Sequence, residues 1–191
     1  MKKILIGTHN QGKFREIAYL IKKKIKKVSP ISLKIKSPKE TGKTFNSNSK
    51  LKAKYFSKFV NYPVISDDSG LCIKSLKNKP GIYSARLAQK KGSFYKAMKY
   101  ILTKMKYKKD RSACFVCSLT FKEPKKRTVT VLGKIHGTIS KTIIGKKGFG
   151  YDPIFIPKNK KKTFGEIPKL KKITMDHRYF AFKKLKKKIN I

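Results

Sequence analysis

The stretch KKILIGTHNQGKFREIAYL, residues 2–20, changes period in its middle, and that change constrains the fold more than any other feature. Its first part, KKILIGT, is an apolar run of strand length. From Lys13 onward, KFREIAYLIKKKI sets Phe14, Ile17, Ala18, Ile21 and Ile25 on one helical face. A strand that turns through glycine into an amphipathic helix begins a layered α/β structure. The alternation continues. SLKIK (32–36) reads as a short strand, and TFNSNSKLKAKYFSKFV (44–60) as a helix with Phe45, Leu51, Tyr55 and Phe59 roughly in phase. YPVISDD (62–68) reads as a buried strand ending in two acids, and GSFYKAMKYILTKM (92–105) as a helix turning Phe94, Met98, Ile101, Leu102 and Met105 inward. SACFVCSLTF (112–121) and RTVTVLGKIHGTI (127–139) flank the turn KEPKK as an antiparallel pair. DHRYFAFKKLKKKI (176–189) opens at Asp176 as N-cap and buries Phe182, Leu185 and Ile189. The expectation is a mixed α/β sheet in a single domain over 1–191, with two lobes around a cleft; 191 residues suit that size.

The chain is very basic. Lys and Arg number 51 against nine Asp and Glu, a formal net charge of +42. Such an excess attracts polyanions, and a basic nucleic-acid-binding protein is one reading of it. Yet the lysines are scattered along the whole chain, and Arg, the better reader of bases, stands only at 15, 86, 111, 127 and 178. Even scatter of Lys with many Ile and no Trp is what a strongly AT-biased genome encodes, so no specific nucleic-acid partner is expected. No apolar run approaches the roughly 18 residues of a membrane helix, and the apolar part of the N-terminus is too short for a signal peptide. The expected compartment is the cytoplasm, with no membrane partner. Cys72, Cys114 and Cys117 are an odd set that argues against a disulfide framework. Cys114 and Cys117 have zinc-knuckle spacing, but three apart on a strand they face opposite ways and cannot chelate together.

Four stretches exceed structural need. GTHNQGK, Gly7 to Lys13, has the spacing of the first seven P-loop positions. A glycine-containing turn at a helix N-terminus offers N–H groups and a positive dipole to phosphate, and Lys13 adds charge. Phe14 stands where a P-loop needs Ser or Thr for magnesium, which excludes a motor- or GTPase-type P-loop. ISDDSGL places Asp67 and Asp68 side by side at a strand end, where α/β ligand crevices open. Adjacent strand residues face opposite ways, so one acid can hold a divalent metal or a water while the other accepts hydrogen bonds; a plain Asx turn is the blander reading. GKKGFGYDPIF (145–155) joins glycines to Phe149 and Tyr151, whose exposed rings could stack on a base, and to Asp152, which could bond the base edge. DHRYFAF places His177 and Arg178 in the first turn of the last helix, facing an anion, a keto oxygen or solvent.

The order THNQGK, DDSGL, KPGIYSAR, GFGYDPIF, HR resembles the inosine triphosphate pyrophosphatase family, the dITP/XTP pyrophosphatases, from Lys3 to about Leu185. The resemblance implies an elongated two-lobed α/β fold on a long twisted mixed sheet, with a nucleotide cleft between the lobes. It implies a magnesium-dependent, usually homodimeric house-cleaning enzyme that cleaves deaminated purine nucleoside triphosphates (dITP, ITP, XTP) to the monophosphate and pyrophosphate. Carried over, Thr8, His9, Asn10, Gln11, Gly12 and Lys13 would bind the triphosphate, and Asp68 would accept a proton and ligate Mg2+ with Glu40. Ser69 would touch substrate, Phe149, Gly150, Tyr151 and Asp152 would line the base site, Lys172 would contact substrate, and His177 with Arg178 would read the purine. The septum-inhibition type of nucleotide pyrophosphatase lacks GFGYDPIF and His-Arg. Three departures stand out: Lys39 where an acid is usual before Glu40, Ser47-Asn48-Ser49 for Glu-Asn-Ala, and Asp176 for Ser before His-Arg.

Overall fold

In the computed structural model, which describes residues 2–189, the opening change of period becomes strand β1 (Lys3–Ile6) and helix α1 (Gln11–Leu20). The other strands are β2 (Lys26–Val28), β3 (Val64–Ile73), β4 (Lys79–Pro80), β5 (Ser112–Lys122), β6 (Val129–Ile139) and β7 (Phe155–Pro157). The other helices are α2 (Phe45–Phe56), α3 (Ser84–Lys90), α4 (Phe94–Lys104), α5 (Lys169–Ile173) and α6 (His177–Lys186). The sheet runs β2-β1-β3-β5-β6-β7, with β4 also on β3. It is mixed: β1 pairs in parallel with β2 and β3, whereas β4 on β3 and β7 on β6 are antiparallel. The fold class is α/β, as expected.

The chain divides into two compact units, the first running up to Asp68 and taking in Cys117–Gly133 and the C-terminal stretch from His177, the second made of Ser69–Val116 and Lys134–Asp176. In the first, β1 is covered on both faces. Ile4 and Ile6 join Ile17, Ile21, Ile65, Leu119, Phe182 and Leu185, while Leu5 between them joins Ile35, Phe56 and Val64. That is the period-2 consequence of a strand buried on two sides. In the second, Leu71 and Ile73 of β3 pack with Met98 and Ile101 from α4, with Met105 just beyond its end, and with Phe115, Phe155 and Phe164. Among the described residues no helix is long and apolar enough to cross a membrane.

Four expectations are corrected. β3 does not stop at Asp68: it continues through Ser69 and Gly70 to Ile73, so the paired acids lie in mid-strand rather than in an Asx turn. Gly70 permits this, because a Cβ there would strike the Gly81 carbonyl and the Ser84 hydroxyl. SLKIK is not a strand. Ile31–Leu33 form one 3-10 turn, closed at Lys34 in the left-handed region (φ 55°), and Lys26–Val28 pairs with β1 instead. Ile35 still buries, which is why the stretch carries strand-like apolarity. Helix α2 ends at Phe56, leaving Phe59 52% exposed. Its buried face is Asn48, Ser49, Lys52, Ala53 and Phe56, rotated from the face that apolar residues alone would choose.

Candidate active site

In the first unit the turn from Gly7 to Lys13 is closed by its own side chains. Thr8 Oγ1 accepts from the Asn10 N–H (3.2 Å), and Asn10, the N-cap of α1, accepts from the Lys13 N–H (3.0 Å). The first helical N–H groups, at Gln11 and Gly12, have no intrahelical acceptor by geometry, the ordinary basis of anion binding at such an end. Gly7 is required for close approach, because a Cβ would run into Ser66 and the Phe56 ring. His9 Nε2 lies 2.9 Å from the Ile35 carbonyl, which places its proton on Nε2.

β3 then turns its two acids to different partners. Asp67, fully buried, pairs with Lys13 Nζ at 3.0 Å and lies 3.9 Å from Arg178 Nε. Burial pushes its carboxyl up, but Lys13, Lys52 and Arg178 together outweigh that and hold it at about 2. Asp68, also buried, accepts from Asn48 Nδ2 at 3.0 Å and stands 4.0 Å from Lys52 Nζ. Here burial wins: with Glu40 adding repulsion, the carboxyl is raised above its ordinary value despite Lys13 and Lys52. One acid is a fixed anion and its neighbour has gained basicity. Such a split separates a structural anchor from a group able to take a proton.

Lys52 bridges the acids. Its Nζ meets Glu40 Oε1 at 2.5 Å as well as Asp68. Burial works against its charge, yet Asp67, Asp68 and Glu40 raise its pKa. Asn48 is held from both ends, with Oδ1 accepting from the Gly42 N–H (2.8 Å) while Nδ2 fixes Asp68. The Ser47-Asn48-Ser49 departure from the family pattern is absorbed locally. Ser47, where Glu is usual, still closes the capping box with Thr44. Ser49, where Ala is usual, reaches Ser118 and Thr120 at 2.8 Å each. Of the other two departures, Lys39 is exposed and Asp176 is buried, 4.0 Å from Lys172 Nζ.

α6 begins at His177, so His177 and Arg178 do lie in its first turn, but both are buried. Arg178 NH1 donates to Glu16 Oε2 (2.8 Å) and meets His177 Nε2 at 3.0 Å. A guanidinium only donates, so His177 Nε2 accepts and the neutral ring carries its hydrogen on Nδ1.

In the second unit, Gly148 and Gly150 take positive φ (75° and 66°) and wrap the chain around Asp152. Asp152 Oδ2 accepts from the Phe149 N–H (2.8 Å) and from Lys172 Nζ (2.7 Å), and Asp176 lies 4.0 Å from the same ammonium. Lys172 is 1% exposed, with Nζ 4.8 Å from the Phe149 ring centre and 5.5 Å from that of Phe164. The expectation of an exposed Tyr151 is corrected: its ring is in the core against Phe94, and its hydroxyl donates to the Ser84 carbonyl at 2.8 Å. Phe149 is partly exposed, as is Ser69 on β3. In KPGIYSAR, Ser84 is scaffold, while Tyr83 and Arg86 are exposed. Ser84 Oγ accepts from the Leu71 N–H and donates to the Gly81 carbonyl, bracing β3 beyond the acids.

Sequence reading missed Lys52, Asn48 and Glu16. Lys52 is lost among its many fellow lysines. Asn48 and Lys52 were findable as an i,i+4 polar pair in phase with Phe56. Glu16, next to the core Ile17, was the one acid of α1.

The Ham1 family model matches residues 4–188. The chain is 41% identical to a dITP/XTP pyrophosphatase of Dictyoglomus thermophilum, over 96% of this chain and 92% of that protein. It is 40% identical to the Bacillus subtilis protein of the same name, over 98% and 96%. Among solved structures, the Staphylococcus aureus Ham1 protein superposes with a TM-score of 0.86 at 34% identity, covering 97% of each chain. A HAM1 protein from Coxiella burnetii gives 0.88 at 31% identity over 98% of each. With a match of this length laid over the same turn, acid pair and His-Arg step, the chain belongs to the Ham1 family.

Proposed function

We propose that this protein hydrolyses deaminated purine nucleoside triphosphates, dITP, ITP and XTP, to the monophosphate and pyrophosphate. The carrying observation is the division of labour in β3: Asp67 neutralises Lys13 and Arg178, while Asp68, raised by burial, faces Lys52 and Glu40. The turn from Thr8 to Lys13 and the ammonium of Lys52 bind the triphosphate. Asp68 accepts the proton of an attacking water, with Asn48 holding its other oxygen in place. His177 offers its Nδ1–H to the keto oxygen of the purine. Adenine has an amino group there and would leave that donor unpaired, a large penalty. Phe149, Gly150 and Ser69 contact substrate, while Asp152 and Lys172, paired and buried, shape the segment that presents them, and Tyr151 supports it from the core.

The residues fit a magnesium ion. Glu40 and Asp68 already converge on one cation, the Lys52 ammonium. Among the described residues no cluster of three or more His, Cys, Asp or Glu side chains is placed to cage a metal. Two hard carboxylates completed by phosphate oxygens and water are the usual magnesium arrangement. Bound there, the ion supplies charge neutralisation to the phosphoanhydride. On the same family grounds we read the protein as a cytoplasmic homodimer with no sequence-specific nucleic-acid site. Pyrophosphate release from dITP, XTP, ITP, dATP and dGTP, with and without magnesium, tests the reading. Preference for the 6-keto, deaminated set is expected, and equal turnover of dATP would refute it.

A further inference from the structure

The spacing of Cys114 and Cys117 suggests a pair, but the structure makes a different one. Cys117 is buried in the core of the first unit. Cys114, on β5, and Cys72, on the neighbouring strand β3, line one cavity. Both belong to the second unit, and none of the three cysteines is in a disulfide. A cavity of about 180 Å³ opens on the pair, lined by Cys72, Lys74, Asn78, Ser112, Cys114 and His136. Cys72 is 8% exposed and Cys114 is partly exposed, so an incoming reagent reaches Cys114 first. The neighbouring Cys72 thiol lowers the Cys114 thiol below its ordinary value, against burial and with help from Lys134, while Cys114 and burial push Cys72 up. Side chains of neighbouring strands that line one cavity are candidates for the span of about 4.4–6.8 Å between Cα atoms that a disulfide bridges.

We propose that Cys72 and Cys114 are a reversible dithiol–disulfide pair, with Cys114 as the attacking thiolate and Cys72 as the resolving thiol, in exchange with a small disulfide of the glutathione class. The Cys114 thiolate attacks one sulfur of the oxidant, forming a mixed disulfide and releasing one small thiolate. Cys72 then gives up its proton and attacks the Cys114 sulfur, forming the Cys72–Cys114 bond and releasing the second small thiol. The two protein thiols lose two electrons, and one oxidant disulfide becomes two thiols. The buried partner serves as the resolving group because it lines the same cavity from the neighbouring strand, so the mixed disulfide is short-lived. None of this depends on the pyrophosphatase reading.

The folded full-length protein, equilibrated in glutathione buffers of increasing oxidised fraction, is followed by free-thiol titration and peptide mapping. Two of the three thiols should disappear together, a Cys72–Cys114 linked peptide should appear, Cys117 should keep its thiol, and dithiothreitol should restore all three. Cys72→Ser should stop at a stable glutathione adduct on Cys114, and Cys114→Ser should leave Cys72 unmodified. Retention of all three thiols in fully oxidised buffer overturns the proposal, as does a persistent adduct on Cys114 in the parent protein or a link through Cys117. Thermal melting of each variant separates misfolding, which would expose Cys117 as well, from loss of the pair.

Discussion

The two units both bury a lysine against acids, and they do it differently. In the second, Lys172 is enclosed: Asp152 and Asp176 on one side, the Phe149 and Phe164 rings over the ammonium, and 1% exposure. In the first, the charges form a chain of Glu16, Arg178, Asp67 and Lys13, with Lys52, Asp68 and Glu40 alongside, and the Glu40 side chain keeps 26% of its surface. Of the nine acids, all but Asp110, Glu123 and Glu166 belong to these two clusters. In so basic a chain, negative charge has been concentrated where cations must be held. The enclosed pair ties Asp152 to α5 and shapes a loop. The open chain gives adjacent carboxylates opposite pKa shifts, which is the condition for chemistry rather than for stiffness.

The largest effect should come from the enclosed pair. Lys172→Met keeps the stem and removes the charge, leaving Asp152 and Asp176 buried without their cation. The expected loss is roughly 3–5 kcal/mol, or about 6–20 °C in thermal midpoint at this chain length. An unchanged melting curve would mean the cluster contributes nothing to stability, and the contrast between the units would collapse.

Within the open chain, Asp68→Asn should cut dITP turnover on the order of 10²-fold or more, the usual scale for losing a general base, with little change in melting. Asp67→Asn should do the reverse. Its kinetic loss is smaller, and destabilisation falls at the low end of roughly 3–5 kcal/mol, because Arg178 keeps Glu16. Steady-state kinetics and calorimetry on both variants decide it; a dead but stable Asp67→Asn would reverse the two assignments.

Acid should expose the same asymmetry. Asp67 sits at about 2 when folded against an ordinary 3.8. A depressed folded value means its stabilisation is complete above pH 4 and is lost as pH falls toward 2, roughly 2 kcal/mol in all. Asp68 is raised, so its share has the opposite sign: present below its ordinary value and lost as pH rises through the folded one. Denaturant midpoints between pH 2 and 5 should therefore fall less steeply for Asp67→Asn than for the parent protein.

Glu40→Gln should give the smallest change, a several-fold rise in the magnesium concentration needed for half-maximal turnover, with the rate at saturating metal within about threefold of the parent, because one of two carboxylates remains. A magnesium requirement unchanged by the substitution would place the ion elsewhere.

What the sequence could determine here is local. A change of period from strand to helix and a glycine in the turn depend on residues a few positions apart, and they were legible as such, whereas Asn10 as the cap that starts α1 at Gln11 was not read. The adjacent acids could be said to face opposite ways from strand geometry alone. What only tertiary structure decided depends on chain folded back from far away. Whether β3 stopped at Asp68 depended on Gly70 admitting the Gly81 carbonyl and on Ser84 binding the Leu71 N–H. Helix α2 showed a misleading apolar phase because its buried stripe is polar, and Asn48 and Lys52 are sheltered only once Asp68 and Glu40 are beside them. Tyr151 looked like an exposed platform until the Ser84 carbonyl claimed its hydroxyl. A buried polar group is stable only with its partner in place, and in each of these cases that partner is too distant in sequence for any local pattern to reveal.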